Sequence, residues 1–231
     1  MIYITGDKHR RFKDVERFCE RMETSADKDV MIVLGDAGIN FKKGKEDDDF
    51  KRYLSRMPIT LFWIHGNPEI RPYRIPSYDD NYVFHGGRAY FDKRYPNQVF
   101  AIDGQTYDFD GKKCFVIGGA YSVDKHFRTE NVSWWPDEQP DDFVKTYVSN
   151  RMESHGWKQD IILSHTCPYK YIPREMFISG VDQSTVDDST ERWLGSIEEK
   201  CEYRKWYCGH YHADKSIDRI RFLFNDIIEL R

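Results

Sequence analysis

Three apolar runs near the start of the chain, "IYIT" (2–5), "VMIVL" (30–34) and "ITLFWIH" (59–65), alternate with stretches of helical spacing. This alternation constrains the fold more than any other feature. The first spacer, "FKDVERFCERM" (12–22), repeats Phe12, Val15, Phe18, Cys19 and Met22 along one helical face. The second, "EDDDFKRYLSRM" (46–57), opens with the carboxylates that a helix N-terminus favours. Strand, helix, strand, helix, strand makes two β-α-β crossovers, which require a parallel sheet and bring the strand ends to one edge.

Beyond residue 80 the runs crowd together: "NYVFHGG" (81–87), "QVFAID" (98–103), "QTYDF" (105–109) and "KCFVIGG" (113–119), with Asp-Gly turn signals at 103–104 and 110–111. This part reads as antiparallel. A helix is expected at about 140–155, a buried strand "DIILS" at 160–164, a Pro-containing irregular segment, a helix near 188–200, and strands "RKWYCGH" (204–210) and "RIRFLFN" (219–225). There is no internal repeat and no Pro/Gly/Ser-rich linker, so the 231 residues read as a single domain, 1–231.

Charge narrows the partners. The 35 basic and 39 acidic residues are mixed along the chain, leaving a net charge of -4 and no basic stripe to hold a nucleic-acid backbone. Five cysteines form no C-x-x-C pair, which argues against a disulfide framework or a zinc knuckle and fits a reducing compartment. No 18-residue apolar span and no charged, cleavable leader precede the first strand, so a soluble, cytoplasmic protein without membrane contact is expected.

Chemistry-bearing residues stand just after the apolar runs. Asp7 and His9 in "TGDKH" are two apart and share a side of an extended chain; Asp36 follows Gly35 in "LGDAG", and Asn67 follows Gly66 in "HGNPE". Late in the chain come His165 in "ILSHTCP" and the pair His210 and His212 in "YCGHYH". Singly, each has an ordinary alternative: a chance Asp-x-His, β-α turn residues, a satisfied structural histidine. Jointly, two Asp, one Asn and four His at the ends of separate strands suffice to ligate two divalent ions, one carboxylate bridging them. The mixed oxygen and nitrogen set favours Mn, Fe or Zn over Mg or Ca.

In this order, D-x-H, G-D, G-N-x-E, H and G-H-x-H, the residues resemble the calcineurin-like metallophosphoesterase superfamily over almost the whole chain. The resemblance implies a four-layer α/β/β/α sandwich and a metal-dependent phosphoric ester hydrolase using a metal-activated hydroxide. Carried over, Asp7, His9 and His212 hold one ion, Asn67, His165 and His210 the other, and Asp36 bridges. "GDAGINF", "GGAYSVD" and "SWWP" look like a bacterial and phage branch of that superfamily. "GDAGIN" lacks the arginine with which protein phosphatases of the superfamily grip phosphate, so a protein phosphatase is disfavoured.

Two departures matter. Arg10 follows His9 where the family usually has glycine, and is a candidate phosphate contact, as is Arg128 in "GGAYSVDKHFR". More consequentially, Pro68 occupies the place of the histidine that protonates the leaving oxygen, and proline has no side-chain proton to give. Candidate replacements are His126, His65 and Glu69. Losing an acid hits alkoxide leaving groups hardest, so the expected substrates are small phosphodiesters or activated esters, cyclic or nucleotide ones included, with Trp134 and Trp135 of "SWWP" a possible stacking wall for a base or else a cap on the core. The alternative is a metal-binding scaffold or partner-binding protein with weak or no catalysis.

Overall fold

In a computed structural model, which describes residues 1–177 and 180–231, the helices are α1 (Lys13–Met22), α2 (Lys45–Leu54), α3 (Asp142–Ser154) and α4 (Ser189–Glu198). The strands are β1 (Ile2–Thr5), β2 (Val30–Val33), β3 (Thr60–Trp63), β4 (Asp79–Phe84), β5 (Gly87–Phe91), β6 (Gln98–Ala101), β7 (Thr106–Phe109), β8 (Lys112–Ile117), β9 (Ile161–Ser164), β10 (Lys205–Cys208), β11 (Lys215–Ile217), β12 (Ile220–Phe222) and β13 (Ile227–Glu229).

Two mixed sheets result, one ordered β13-β1-β2-β3-β6-β5-β4, the other β11-β12-β10-β9-β8-β7. Each has a parallel centre, β1, β2, β3 and β6 in the first and β12, β10, β9 and β8 in the second, with antiparallel strands at the edges. Alternate residues explain the layering. Ile2, Ile4, Ile32, Phe62 and Ile64 of the first sheet meet Val116, Ile161 and Leu163 of the second in a core between the sheets. The intervening Tyr3, Met31, Val33, Leu61 and Trp63 face α1 and α2, where Val15, Phe18, Phe50 and Leu54 cover them. Phe115, Ile117, Ile162 and Trp206 pack likewise with Val148, Met152, Leu194 and Ile197 of α3 and α4. Strands buried on both faces are why the central runs are continuously apolar. The expected four-layer α/β/β/α sandwich is the fold.

Three expectations need correction. The run 81–87 is not one strand: His85 (φ 47°) and Gly86 (φ 80°) form a tight turn between β4 and β5, with both central residues at positive φ as a type I′ hairpin requires. The crowded region is antiparallel only within β4-β5-β6 and β7-β8, because β6 also pairs in parallel with β3, and β8 with β9. The two Asp-Gly signals part company accordingly: Asp110-Gly111 turns the β7-β8 hairpin, whereas Asp103-Gly104 carries the chain from one sheet to the other. Finally, 219–225 contributes only β12, and β11 and β13 flank it.

All five cysteines are free and buried. Among the described residues, no helix is long and apolar enough to cross a membrane.

Candidate metal centre

Every residue singled out for metal chemistry lies just beyond the C-terminal end of a parallel strand: Asp7 and His9 after β1, Asp36 after β2, Asn67 after β3, His165 after β9, His210 and His212 after β10. Registers level these ends, since Thr5 pairs with Val33, Val33 with Trp63, and Ser164 with both Ile117 and Cys208. This rim is where open α/β sheets place ligands.

Two clusters form there. In the first, Nε2 of His9 stands 2.8 Å from Nε2 of His212, and they lie 3.9 and 3.3 Å from Oδ2 of Asp7. The backbone N–H of His210 donates to Oδ1 of Asp7 at 2.9 Å, but Oδ2 is shut away from solvent with no hydrogen-bond partner. Such an orphaned acceptor costs about 1–3 kcal/mol unless a positive group joins it. In the second cluster, Asp7, Asp36 and His165 offer ligand atoms within 4.8 Å of one another. Nδ1 of His165 donates to the Leu34 carbonyl at 2.7 Å, so Nε2 turns its lone pair toward Oδ1 of Asn67 at 2.9 Å and Oδ1 of Asp36 at 3.4 Å. Asn67 is fixed in turn: Nδ2 donates to Oγ of Ser122 at 2.7 Å, and its backbone N–H to Oδ1 of Asp36 at 2.9 Å. Lone pairs facing lone pairs are what a cation site requires, and the residues fit a pair of divalent ions.

Asp7 is common to both clusters, while Asp36 stands only in the second. His210 enters neither, although its ring centroid is 5.0 Å from that of His165.

The loops are shaped to hold these side chains. His9, Asp36, His210 and His212 adopt positive φ (43°, 46°, 66° and 50°), a conformation that non-glycine residues keep only where their surroundings enforce it. A Cβ on Gly66 would come within 2.1 Å of Oδ1 of Asp36, one on Gly209 within 2.2 Å of Oδ1 of Asp7, and one on Gly35 within 2.3 Å of Nδ1 of His165. Each glycine is thus the space into which a candidate ligand fits. Below them, Glu69 accepts from the N–H groups of Gly38 at 2.7 Å and Gly66 at 3.3 Å.

Charge is divided across the centre. Burial alone would raise the Asp7 carboxyl, but the His212 ring 3.3 Å from Oδ2 and the His210 N–H that donates to Oδ1 overcome it and lower it to about 2. Burial raises Asp36, with the Asp7 charge reinforcing and His165 opposing. Two buried carboxylates this close do not both ionise easily; a shared cation is what lets both carry charge. Burial takes the His210 imidazole down to about 3, whereas the Asp7 carboxylate 3.3 Å away raises His212.

His9, Asp36, Asn67, His210 and His212 line one side of a cleft of about 370 Å³. Arg128 reaches this cleft, its guanidinium paired with Asp124 at 2.7 Å. Arg10 does not: it bonds the carbonyls of Gly38 and Glu46, both at 3.3 Å, and lies 4.3 Å over the Phe50 ring. His126 is exposed and is not among the cleft residues. His65 is buried with neither ring nitrogen hydrogen-bonded, and Glu69 is buried beneath the loops. Trp134 and Trp135 do not line the cleft either; Trp135 is buried, with Lys43 4.4 Å over its ring.

Sequence reasoning missed Ser122, which orients Asn67, and the residues between β9 and α4 that line much of the cleft. For Ser122 the available signal was its place in "GGAYSVD", directly after a strand.

A family model described as calcineurin-like phosphoesterase matches residues 1–214. No curated protein matches the chain. One solved crystal structure aligns with a TM-score of 0.52 at 12% identity, covering 96% of this chain and 88% of its own. The crystal structure of TT1561 of Thermus thermophilus aligns with a TM-score of 0.49 at 14% identity, covering 90% of this chain and 80% of its own.

Proposed function

Because the chain belongs to the calcineurin-like phosphoesterase family, we propose that it hydrolyses small phosphoric esters at two divalent cations held by Asp7, His9, Asp36, Asn67, His165, His210 and His212. The carrying observation is the orphaned Oδ2 of Asp7 between the facing imidazoles of His9 and His212. When bound, such ions polarise a phosphoryl group and acidify water. The oxygen and nitrogen donor set suits Mn, Fe or Zn.

The chain's own residues hold and aim. Leu34 fixes the tautomer of His165, Ser122 fixes the amide of Asn67, and the His210 N–H occupies one Asp7 oxygen so that the other faces inward. At the cleft, Arg128 offers charge to a phosphate oxygen once released from Asp124. Arg10 and His126 are not assigned roles, because their side chains do not line the cleft.

Pro68 sets the preference. With no proton donor at that position, phosphodiesters and activated esters, cyclic or nucleotide ones included, are favoured over ordinary alkyl monoesters. The five buried thiols fit work in a reducing compartment such as the cytoplasm. The same proline favours a second reading, a metal-binding protein with little or no turnover. Assaying bis(p-nitrophenyl) phosphate with Mn²⁺, Zn²⁺ and Fe²⁺ separates them: activity lost in Asp36→Asn supports the enzyme, and equal rates in both proteins with metal bound support the scaffold.

A further inference from the structure

Much of the rest of the cleft's lining comes from described residues between β9 and α4. Tyr169, Ile172, Met176, Phe177, Val181 and Val186 all line the cavity. None is fully buried and Met176 is 42% exposed; Ile172 packs against the core of the second sheet, whereas the other five belong to none of the three core clusters. Contiguous apolar surface of this kind marks a binding site. About 370 Å³ is the scale of a small-molecule pocket. Of the charged groups at the cleft, Arg128 is paired with Asp124 and Asp188 with Arg192, Glu191 is buried against the Thr166 hydroxyl, and Arg174, over the Tyr169 ring at 5.3 Å, has no carboxylate in ion-pairing distance among the described residues.

A second observation, independent of this lining, concerns Pro68. Without an acid beside Asn67, the leaving oxygen departs as an anion. A phenol-like oxygen does so with a pKa of about 10, while an alkoxide lies near the value of about 16 for water. Apolar, ring-bearing lining and missing acid call for the same arm.

Resting on the phosphoesterase reading, we infer that the substrate is a phosphoric ester with an aromatic arm, which the cleft surface of Tyr169, Met176, Phe177, Val181 and Val186 binds and which leaves as the aryl oxide. The balance is that of hydrolysis: water adds its oxygen to phosphorus and gives one proton to solvent, the P–O(aryl) bond breaks with its electron pair on the aryl oxygen, and the aryl oxide takes a proton from solvent. Arg174 is placed to offer the anionic phosphate a charge at the rim.

Binding tests this without relying on turnover. Phenylphosphonate, n-butylphosphonate and methylphosphonate are titrated calorimetrically into the Mn²⁺-loaded protein. The expected order is phenyl tightest, about tenfold over methyl, an effect well within the reach of burying one ring. Met176→Ala and Val186→Ala, whose side chains lie outside the three core clusters, should shrink that ratio toward one with methylphosphonate affinity and melting temperature retained. Equal affinity for phenyl and methyl, butyl as tight as phenyl, or a ratio untouched in both variants overturns the inference and leaves the phosphoesterase reading standing. Failure of all three phosphonates and of inorganic phosphate to bind overturns both.

Discussion

The side-chain amide of Asn67 donates to the hydroxyl of Ser122 at 2.7 Å, and that one bond decides which end of Asn67 faces His165. Oδ1 is thereby held 2.9 Å from Nε2 of His165, two lone pairs turned toward the same point. Ser122→Ala frees the amide to flip and should weaken metal binding at the second cluster about 10- to 100-fold, the usual consequence of removing such an outer partner. Calorimetric Mn²⁺ titration of the variant, with the melting temperature as a check on folding, measures it. Unchanged affinity would mean that Asn67 needs no such restraint.

Gly66 separates geometry from general stability. Its missing Cβ would sit 2.1 Å from Oδ1 of Asp36 and 2.2 Å from the Asp36 nitrogen, with no positive φ to add strain. Gly66→Ala should cost about 1–3 kcal/mol, as overpacking does, and abolish binding at the second cluster. Gly44, whose Cβ would meet nothing within 4 Å although its φ is 74°, is the control: Gly44→Ala should cost about 1 kcal/mol and leave metal affinity intact. Chemical denaturation and metal titration of both variants compare them.

Glu191 gives the fold a pH dependence. Burial pushes its carboxyl up from the ordinary 4.5 to about 7, against the pull of the Thr166 hydroxyl that donates to it at 2.7 Å. A raised carboxyl favours the protonated form in the folded state. Its contribution is therefore fully present below about pH 4.5 and is lost as pH rises through about 7, on the order of 3 kcal/mol in all. Glu191→Gln should flatten unfolding free energy between pH 5 and 8, measured by urea denaturation. An identical slope in wild type and variant would contradict this.

Restoring the acid tests the meaning of Pro68. Pro68→His should raise kcat/KM for alkyl diesters about 10²-fold or more while changing bis(p-nitrophenyl) phosphate little, because only the poor leaving group needs the proton. No gain for the alkyl ester would point to another donor already present.

Much of this centre was legible in the sequence because its parts are local. A glycine, then a ligand, at the end of an apolar run announces itself at Asp36 and Asn67, and the crossover rule gathers those ends. The reason for Gly66 was not legible: the atom that would meet its Cβ belongs to Asp36, on the neighbouring strand's loop. The His85-Gly86 turn was missed because histidine at positive φ lacks the usual Asn-Gly signature. The described residues of this lining, 169–177 and 180–186, hold only short 3₁₀ turns, with neither period 2 nor period 3.6 for a sequence pattern to register. His126 and Arg10 read as candidates from chain position alone; neither lines the cleft, Arg10 being bound to the carbonyls of Gly38 and Glu46.

The most direct test of the centre is a Mn²⁺-soaked crystal examined by anomalous diffraction. Two peaks about 3.5–4 Å apart are predicted, one within ligand distance of Asp7, His9 and His212, the other of Asn67 and His165. A single peak elsewhere, or none at Oδ2 of Asp7 under saturating Mn²⁺, would contradict the account.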